Sequence, residues 1–238
     1  MRNESFLIVF CFWISAAAFS QQVEITVAAS YAGSNMSDLK TMNEDVINQI
    51  PFEVKLVEDF PPWFVYRASL ATIFAEKYKI GVVYNHSSTG SRVSYADYSG
   101  EYHFDITAKG NSIGLLLGYN VFRYKNIEVQ FDATLGVMLS TCNFSENLSV
   151  YAMQQSDNLS MESTSLVAIP ELSVNYWLGI IGFGVFCGYQ YDVGGPLNLS
   201  GQKTTISTNW SGFRVGAVLR VRFPKVGGKQ DAKAQSNN

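Results

Sequence analysis

Apolar and polar residues alternate one for one along much of this chain, the mark of strands with two unlike faces. Residues 127–140 show it best. Ile127, Val129, Phe131, Ala133, Leu135, Val137 and Leu139 share one face; Glu128, Gln130, Asp132, Thr134, Gly136, Met138 and Ser140 share the other. Residues 213–223 repeat the pattern, with Phe213, Val215, Ala217, Leu219, Val221 and Phe223 set against Arg214, Gly216, Val218, Arg220 and Arg222. Residues 78–85 and 112–121 do the same, and 23–31, 63–75, 164–177 and 178–191 are less regular candidates. Pro170 falls inside 164–177, where its missing N–H weakens a strand unless a bulge absorbs it. The total is eight, an even number.

The connectors alternate in length. Those near 75–78, 122–126 and 177–178 are short; those at 32–62, 86–111, 141–163 and 192–209 are long. Short turns at one end and long loops at the other predict an all-β fold, an eight-stranded antiparallel up-and-down transmembrane β-barrel with short periplasmic turns and long extracellular loops. Inside the first long connector, Leu39, Met42, Val46 and Ile50 recur at helical spacing, with Ser37 as a cap and Pro51 as a stop. That helix reads either as a lid over the barrel mouth or, the plainer reading, as cover for the loop's own apolar residues. In the second connector, Val93 to Tyr95 and Tyr102 to Phe104 predict a hairpin that continues above the membrane.

Alternation does not say which face is buried; the charges do. Arg67, Arg214, Arg220 and Arg222 fall on polar faces together with Glu24, Glu128, Asp132 and Glu171, and Lys79 falls near a strand end. An eight-stranded barrel has an interior just wide enough for side chains to fill, and a balanced ion network there can satisfy its own members. Arg or Lys facing lipid would cost about 2–4 kcal/mol each at the midplane. The apolar faces are therefore expected to point outward. Aromatic residues gather at both strand ends, as two membrane–water boundaries require. The expected girdle is Tyr31, Trp63, Tyr84, Tyr189 and Trp210 on the long-loop side, and Tyr78, Tyr119, Tyr124, Tyr176, Trp177 and Phe223 on the short-turn side.

The first 20 residues read as a secretory signal, with Arg2, an apolar stretch from Phe6 to Phe19, and small residues at Ala18 and Ser20. The barrel then occupies 21–223, and 224–238 form a flexible polar tail. Among 238 residues, 17 Lys+Arg face 20 Asp+Glu, a net charge of −3, so no basic excess supports nucleic-acid binding. Charged residues make up 16% and aromatics 14%, the opposite of a disordered chain. Cys142 and Cys187, the two cysteines of the mature chain, do not make a disulfide framework.

Candidate chemistry is sparse. The two histidines, His86 and His103, lie at or in the second long connector, and Asp105 follows His103 by two residues. A lipid hydrolase or acyltransferase using His103 near the extracellular mouth is the alternative to a non-enzymatic barrel, and needs a Ser/His/Asp geometry that sequence cannot show. No zinc or EF-hand spacing occurs, and no phosphate-binding loop. No metal or other cofactor is expected. A soluble, lipocalin-like ligand-binding barrel is the third reading.

Three stretches, 88–92 (STGSR), 97–102 (DYSGEY) and 210–214 (WSGFR), resemble those of bacterial outer-membrane β-barrel domain proteins of the OmpA/OmpX type. The resemblance extends over about 23–223. It implies a Gram-negative outer membrane as the location, outer-membrane lipid as surroundings, and the barrel-assembly machinery as a partner during insertion. That machinery would read 213–223, ending in Phe223. The tail beyond Pro224 departs from barrels that end on the terminal aromatic, and is too short for a peptidoglycan-binding domain. The family has no single activity. The expected role is structural or surface-interaction (adhesion-like), with a closed ion-paired interior, no open pore, and the long loops available to an extracellular partner.

Overall fold

In a computed structural model, residues 22–50, 54–98, 100–151, 153–199 and 201–223 are described. The signal segment, Pro51 and the tail from Pro224 lie outside them. The elements run β1 (Gln22–Ala32), α1 (Ser37–Gln49), β2 (Lys55–Asp59), β3 (Trp63–Phe74), β4 (Tyr78–Ala96), β5 (Gly100–Tyr124), β6 (Ile127–Val150), β7 (Met153–Leu178), β8 (Ile181–Asp192), β9 (Gly195–Leu199), β10 (Gln202–Thr208) and β11 (Gly212–Phe223).

Eight of these strands close a ring. Each of β3 to β8 pairs antiparallel with its neighbour in the chain, β11 pairs with β8, and β1 joins β11 to β3. Closure removes every sheet edge within the ring, so its backbone groups are satisfied without water. Glu24↔Arg222 and Val27↔Leu219 set the register of the seam between the first and last strands. The turns at one end are short, 75–77, 125–126 and 179–180. Gly179 holds a left-handed φ of 64° in the last of these, where a side chain would be strained.

The alternation sets the faces. Phe131, Leu135 and Leu219 are 42%, 56% and 37% exposed on the outside, while Asp132 and Arg220 are 5% and 1% exposed on the inside. An apolar exterior around a charged interior inverts a soluble barrel, so the lipocalin-like reading fails on this geometry.

Several expectations are corrected. Strands β4 to β7 run well past the predicted segments: 86–111 forms the tall hairpin that its residues predict, and most of 141–163 is a second hairpin rather than loop. Above the apolar band the alternation of β5 continues with its polarity inverted: Tyr102, Phe104 and Ile106 face inward, and Glu101, His103 and Asp105 outward. Val93↔Phe104 and Tyr95↔Tyr102 pair as the second connector predicted. Pro170 lies within β7 without a bulge: the β7–β8 ladder omits Ile169 and Pro170 and resumes at Glu171↔Gly188 in unchanged register. Ser37 does not cap α1; Met36 occupies that position with a left-handed backbone and no side-chain cap bond.

Helix α1 is a lid rather than cover for its own loop. Leu39 and the adjoining Met36 are fully buried in an apolar cluster with Val93, Tyr102, Phe104, Ile106, Met138, Cys142, Phe144, Leu197 and Trp210. Met42, Val46, Ile47 and Ile50 pack against the same cluster. Asp38 anchors the start of the helix, its Oδ2 accepting bonds from the Ser207 amide at 2.9 Å and hydroxyl at 2.6 Å. Thus β10, at the end of the last long connector, holds down the helix of the first.

Candidate functional site: an ionic interior beneath a capped mouth

Toward the short-turn end, inward-facing residues of several strands meet on the barrel axis. Glu24 is fully buried and accepts from three cations: Lys79 Nζ at 3.3 Å, Arg220 Nη1 at 3.0 Å and Arg222 Nη2 at 2.7 Å. Asp132 binds Lys79 at 3.0 Å and Arg220 at 3.3 Å, and Glu128 binds Arg222 at 2.9 Å. Arg220 also donates to Asn175 Oδ1 and Ser173 Oγ, each at 3.1 Å. Three cations therefore face three carboxylates. Charge-assisted bonds of this kind are the strong ones, and their desolvation cost is offset only because the ions share partners. Lys79, placed at a strand end by sequence, is a full member of this cluster, its side chain buried.

A second cluster lies nearer the mouth. Arg67 pairs with Glu171 and stacks over the Phe186 ring at 4.5 Å. Arg214 is 4% exposed and has no carboxylate within salt-bridge range among the described residues; its side-chain bond is to Asn85 Oδ1, at 3.5 Å. Sequence places four arginines against four carboxylates as if they matched one for one. The structure instead adds Lys79 to the network and leaves Arg214 unpaired, because pairing depends on which rows of a sheared barrel meet across the axis.

Above this cluster the mouth is closed by Trp210. Its ring is buried, and Nε1 donates to Ser140 Oγ at 2.8 Å. Its amide donates to Asp192 Oδ2 at 2.9 Å. Gly110 makes room for it: a Cβ there would meet the indole at 2.9 Å. Above the apolar band, burial pushes the Cys142 thiol of this plug up to about 12, because a thiolate there would lack water. Burial, then a hydrogen bond to Glu146 at 3.1 Å, pushes the Tyr102 phenol up to about 12 as well.

Outside, rings stand at both ends. Tyr31, Trp63, Tyr84 and Tyr189 lie at the long-loop end. Tyr189 packs on Tyr191 at 4.5 Å and on Phe213 at 4.9 Å, and Tyr31 packs on Phe64 at 6.0 Å. Tyr78, Tyr119, Tyr124, Tyr176 and Phe223 are exposed at the other end, where Tyr78 and Tyr119 pair at 5.4 Å. Two expected girdle members are not there. Trp210 is the plug just described. Trp177 is buried in the interior, with the Arg222 guanidinium 4.0 Å over its ring. Neighbouring residues of a strand point to opposite faces, so Tyr176 and Trp177 cannot both meet lipid.

The residues of the enzymatic alternative are not brought together. His103 Nε2 is bonded to Glu101 on the hairpin surface, and its Nδ1 has no hydrogen-bond partner. Asp105 is held instead by Arg92 in a bidentate pair at 2.6 and 2.8 Å. Cys142 and Cys187 are both free, one buried and one exposed on the outer face.

A closed ring of eight antiparallel strands, greasy outside and ion-paired inside, defines a β-barrel of the outer-membrane type. No family model matches the chain, and no curated protein matches it. Similar solved structures include Ail, the attachment invasion locus protein of Yersinia pestis, at 15% identity and TM-score 0.42, covering 84% of this chain and 99% of that one. They also include Neisserial surface protein A, at 15% identity and TM-score 0.44, covering 84% of this chain and 97% of that one. A third is the outer membrane protein OprG from Pseudomonas aeruginosa, at 13% identity and TM-score 0.46, covering 86% of this chain and 97% of that one. At such identities the activity of this chain is to be read from its own residues.

Proposed function

We propose that this chain is a closed barrel of a Gram-negative outer membrane that works through its extracellular face, as a structural and surface-interaction protein rather than as a pore or an enzyme. The observation that carries this reading is the contrast between the two ends of the molecule. Along the axis, Glu24, Glu128, Arg220, Asn85 and Gln190 are each at most 1% exposed, so successive levels of the interior are occluded. Outside the apolar band, the β4–β5 and β6–β7 hairpins rise with α1, β2 and the β9–β10 hairpin packed among them. Ordering so much chain beyond the membrane costs conformational entropy, which a mere connector would not require. The hairpin tips present Tyr98, Tyr151 and Met153, all largely exposed, as rings and thioethers at contact surfaces are.

The barrel-assembly machinery is the proposed partner during insertion, reading β11 and its terminal Phe223. Outer-membrane lipid surrounds the band, and an extracellular partner meets the hairpin tips. The test uses intact cells expressing the full chain. Tyr98→Cys is expected to react with an impermeant maleimide, and cells carrying the wild-type chain are expected to adhere to host-cell or matrix-coated surfaces more than cells carrying Tyr98→Ser/Tyr151→Ser at equal surface level. Reconstituted liposomes are expected to take up no more small sugar than empty ones. Free sugar uptake, or adhesion indifferent to the tips, refutes the proposal.

A further inference from the structure

Helix α1 covers only part of the hairpin face on which it packs. At its C-terminal end a cleft of about 390 Å³ separates Val46 and Ile50 from Tyr102, Phe104, Glu146 and Leu148. Past the cleft, the inner face of β6 continues toward the hairpin tip as Leu148 and Val150, with Met153 of β7 directly opposite Val150. These three are 37%, 36% and 78% exposed. From Glu146 to Val150 the stripe runs about 13 Å, at about 3.3 Å per residue. The apolar band lower down is covered by lipid. This stripe lies beyond the membrane, where a contiguous apolar surface marks contact with another molecule.

The charges on this face select the partner. Glu146 stands among apolar side chains, between Phe144 and Leu148 on its own strand and opposite Phe104 on β5. On its other side it pairs directly with Asp157 of β7, and like charges so placed repel. Glu146 accepts a hydrogen bond from the Tyr102 hydroxyl at 3.1 Å, but neither carboxylate has a cation within salt-bridge range among the described residues. Of the extracellular cations, Lys40 is taken by Asp59 and Arg92 by Asp105. Helix α1, the other wall of the cleft, adds Asp38, Glu44 and Asp45 against Lys40 alone. A cationic side chain lying between Glu146 and Asp157 would relieve their repulsion, and an apolar residue beside it in the same chain would fall on Leu148 and Val150.

We propose that this cleft and the stripe beyond it bind a basic amphipathic peptide, with its cations at Glu146 and Asp157 and its apolar side chains on Leu148, Val150 and the end of α1. The proposal rests on the reading of the extracellular end as a contact surface, and gives that surface a partner chemistry. Acidic peptides and polyanions are rejected by the same charges.

The test uses the refolded mature chain in nanodiscs of zwitterionic lipid. The probe is a short fluorescent peptide carrying lysine and leucine on opposite faces of a helix, and empty discs set the baseline. Binding above that baseline is expected, and it should weaken with added salt, since both carboxylates are exposed. Glu146→Gln/Asp157→Asn is expected to weaken it roughly tenfold, the worth of two exposed ion pairs. Should that variant not refold, Asp157→Lys carries the test. Tyr98→Ser/Tyr151→Ser, the variant that tests the hairpin tips, is expected to bind the peptide as the wild type does, so the two readings fail separately. No binding above the baseline overturns the proposal, as does undiminished binding by the charge variants or loss of binding in the tip variant. Equal binding of a leucine–glutamate peptide overturns it too, the stripe then being merely adhesive. Binding that appears only in Phe52→Ser also overturns it, the cleft then being filled by the chain's own segment.

Discussion

Glu24→Gln is the most direct perturbation of the interior. The substitution keeps the side chain's volume and one acceptor oxygen but removes the charge that Lys79, Arg220 and Arg222 share at 3.3, 3.0 and 2.7 Å. Three cations would then be left to Asp132 and Glu128. Removing one partner from a buried ion network costs about 3–5 kcal/mol, because the remaining charges stay buried. For a domain of this length each kcal/mol corresponds to roughly 2–4 °C, so the transition is expected to fall by roughly 6–20 °C. The assay is heat-modifiable gel mobility of the refolded chain, with urea unfolding followed by tryptophan fluorescence. Arg220→Met on top of Glu24→Gln restores balance, leaving Lys79 paired with Asp132 and Arg222 paired with Glu128. The double variant should therefore be more stable than the sum of the single losses, by about 0.5–3 kcal/mol. A Glu24→Gln barrel that melts with wild type, or strictly additive losses in the pair, would refute the idea that these charges compensate one another.

The outward orientation can be tested at a single position. Leu135→Arg, on the exposed outer face, should lower folding stability in lipid vesicles by about 2–4 kcal/mol, while the polar exchange Leu148→Gln on the hairpin above should leave it nearly unchanged. In the lid, Leu39→Ala removes a fully buried side chain, which should cost about 2–5 kcal/mol of local packing. It should appear as protease cleavage of α1 at concentrations that leave the wild type intact, with the gel shift of the barrel preserved. In a Cys187→Ser background, Cys142 should resist maleimide at pH 8 in the folded chain and label fully after unfolding. Its thiol titrates near 12 when folded, above the ordinary 9.0. Its contribution to stability is therefore complete below about pH 9 and is lost as pH rises toward about 12, which urea midpoints at increasing pH should follow.

The alternation of Ile127 to Ser140 and of Phe213 to Phe223 was sufficient to define strands and their two faces, since a strand's period is a local property of the backbone. The inward place of Asp132 and Arg220 was also legible, because lipid and a narrow interior reject charge and bulk respectively. The full length of the strand extensions was not, since above the band the apolar residues such as Phe104 and Phe144 change to the inward face and the pattern that defines the lower strands reverses. Trp177 could have been assigned correctly by applying the same period to its neighbour Tyr176. Trp210 could not: it precedes β11, in a segment without period, and its inward turn depends on Gly110, Ser140 and Asp192 from three distant strands.

Composition and periodicity therefore determined a barrel with its grease outward and its ions inward, because those follow from residue type and from neighbours along the chain. Which ions meet was decided only in three dimensions. Closing eight strands with a stagger brings Glu24 to Arg220 across 196 positions and Arg67 to Glu171 across 104, and leaves Arg214 beside Asn85. Helix α1 likewise had an apolar stripe in any context, but only the assembled hairpins supplied the pocket that made it a lid.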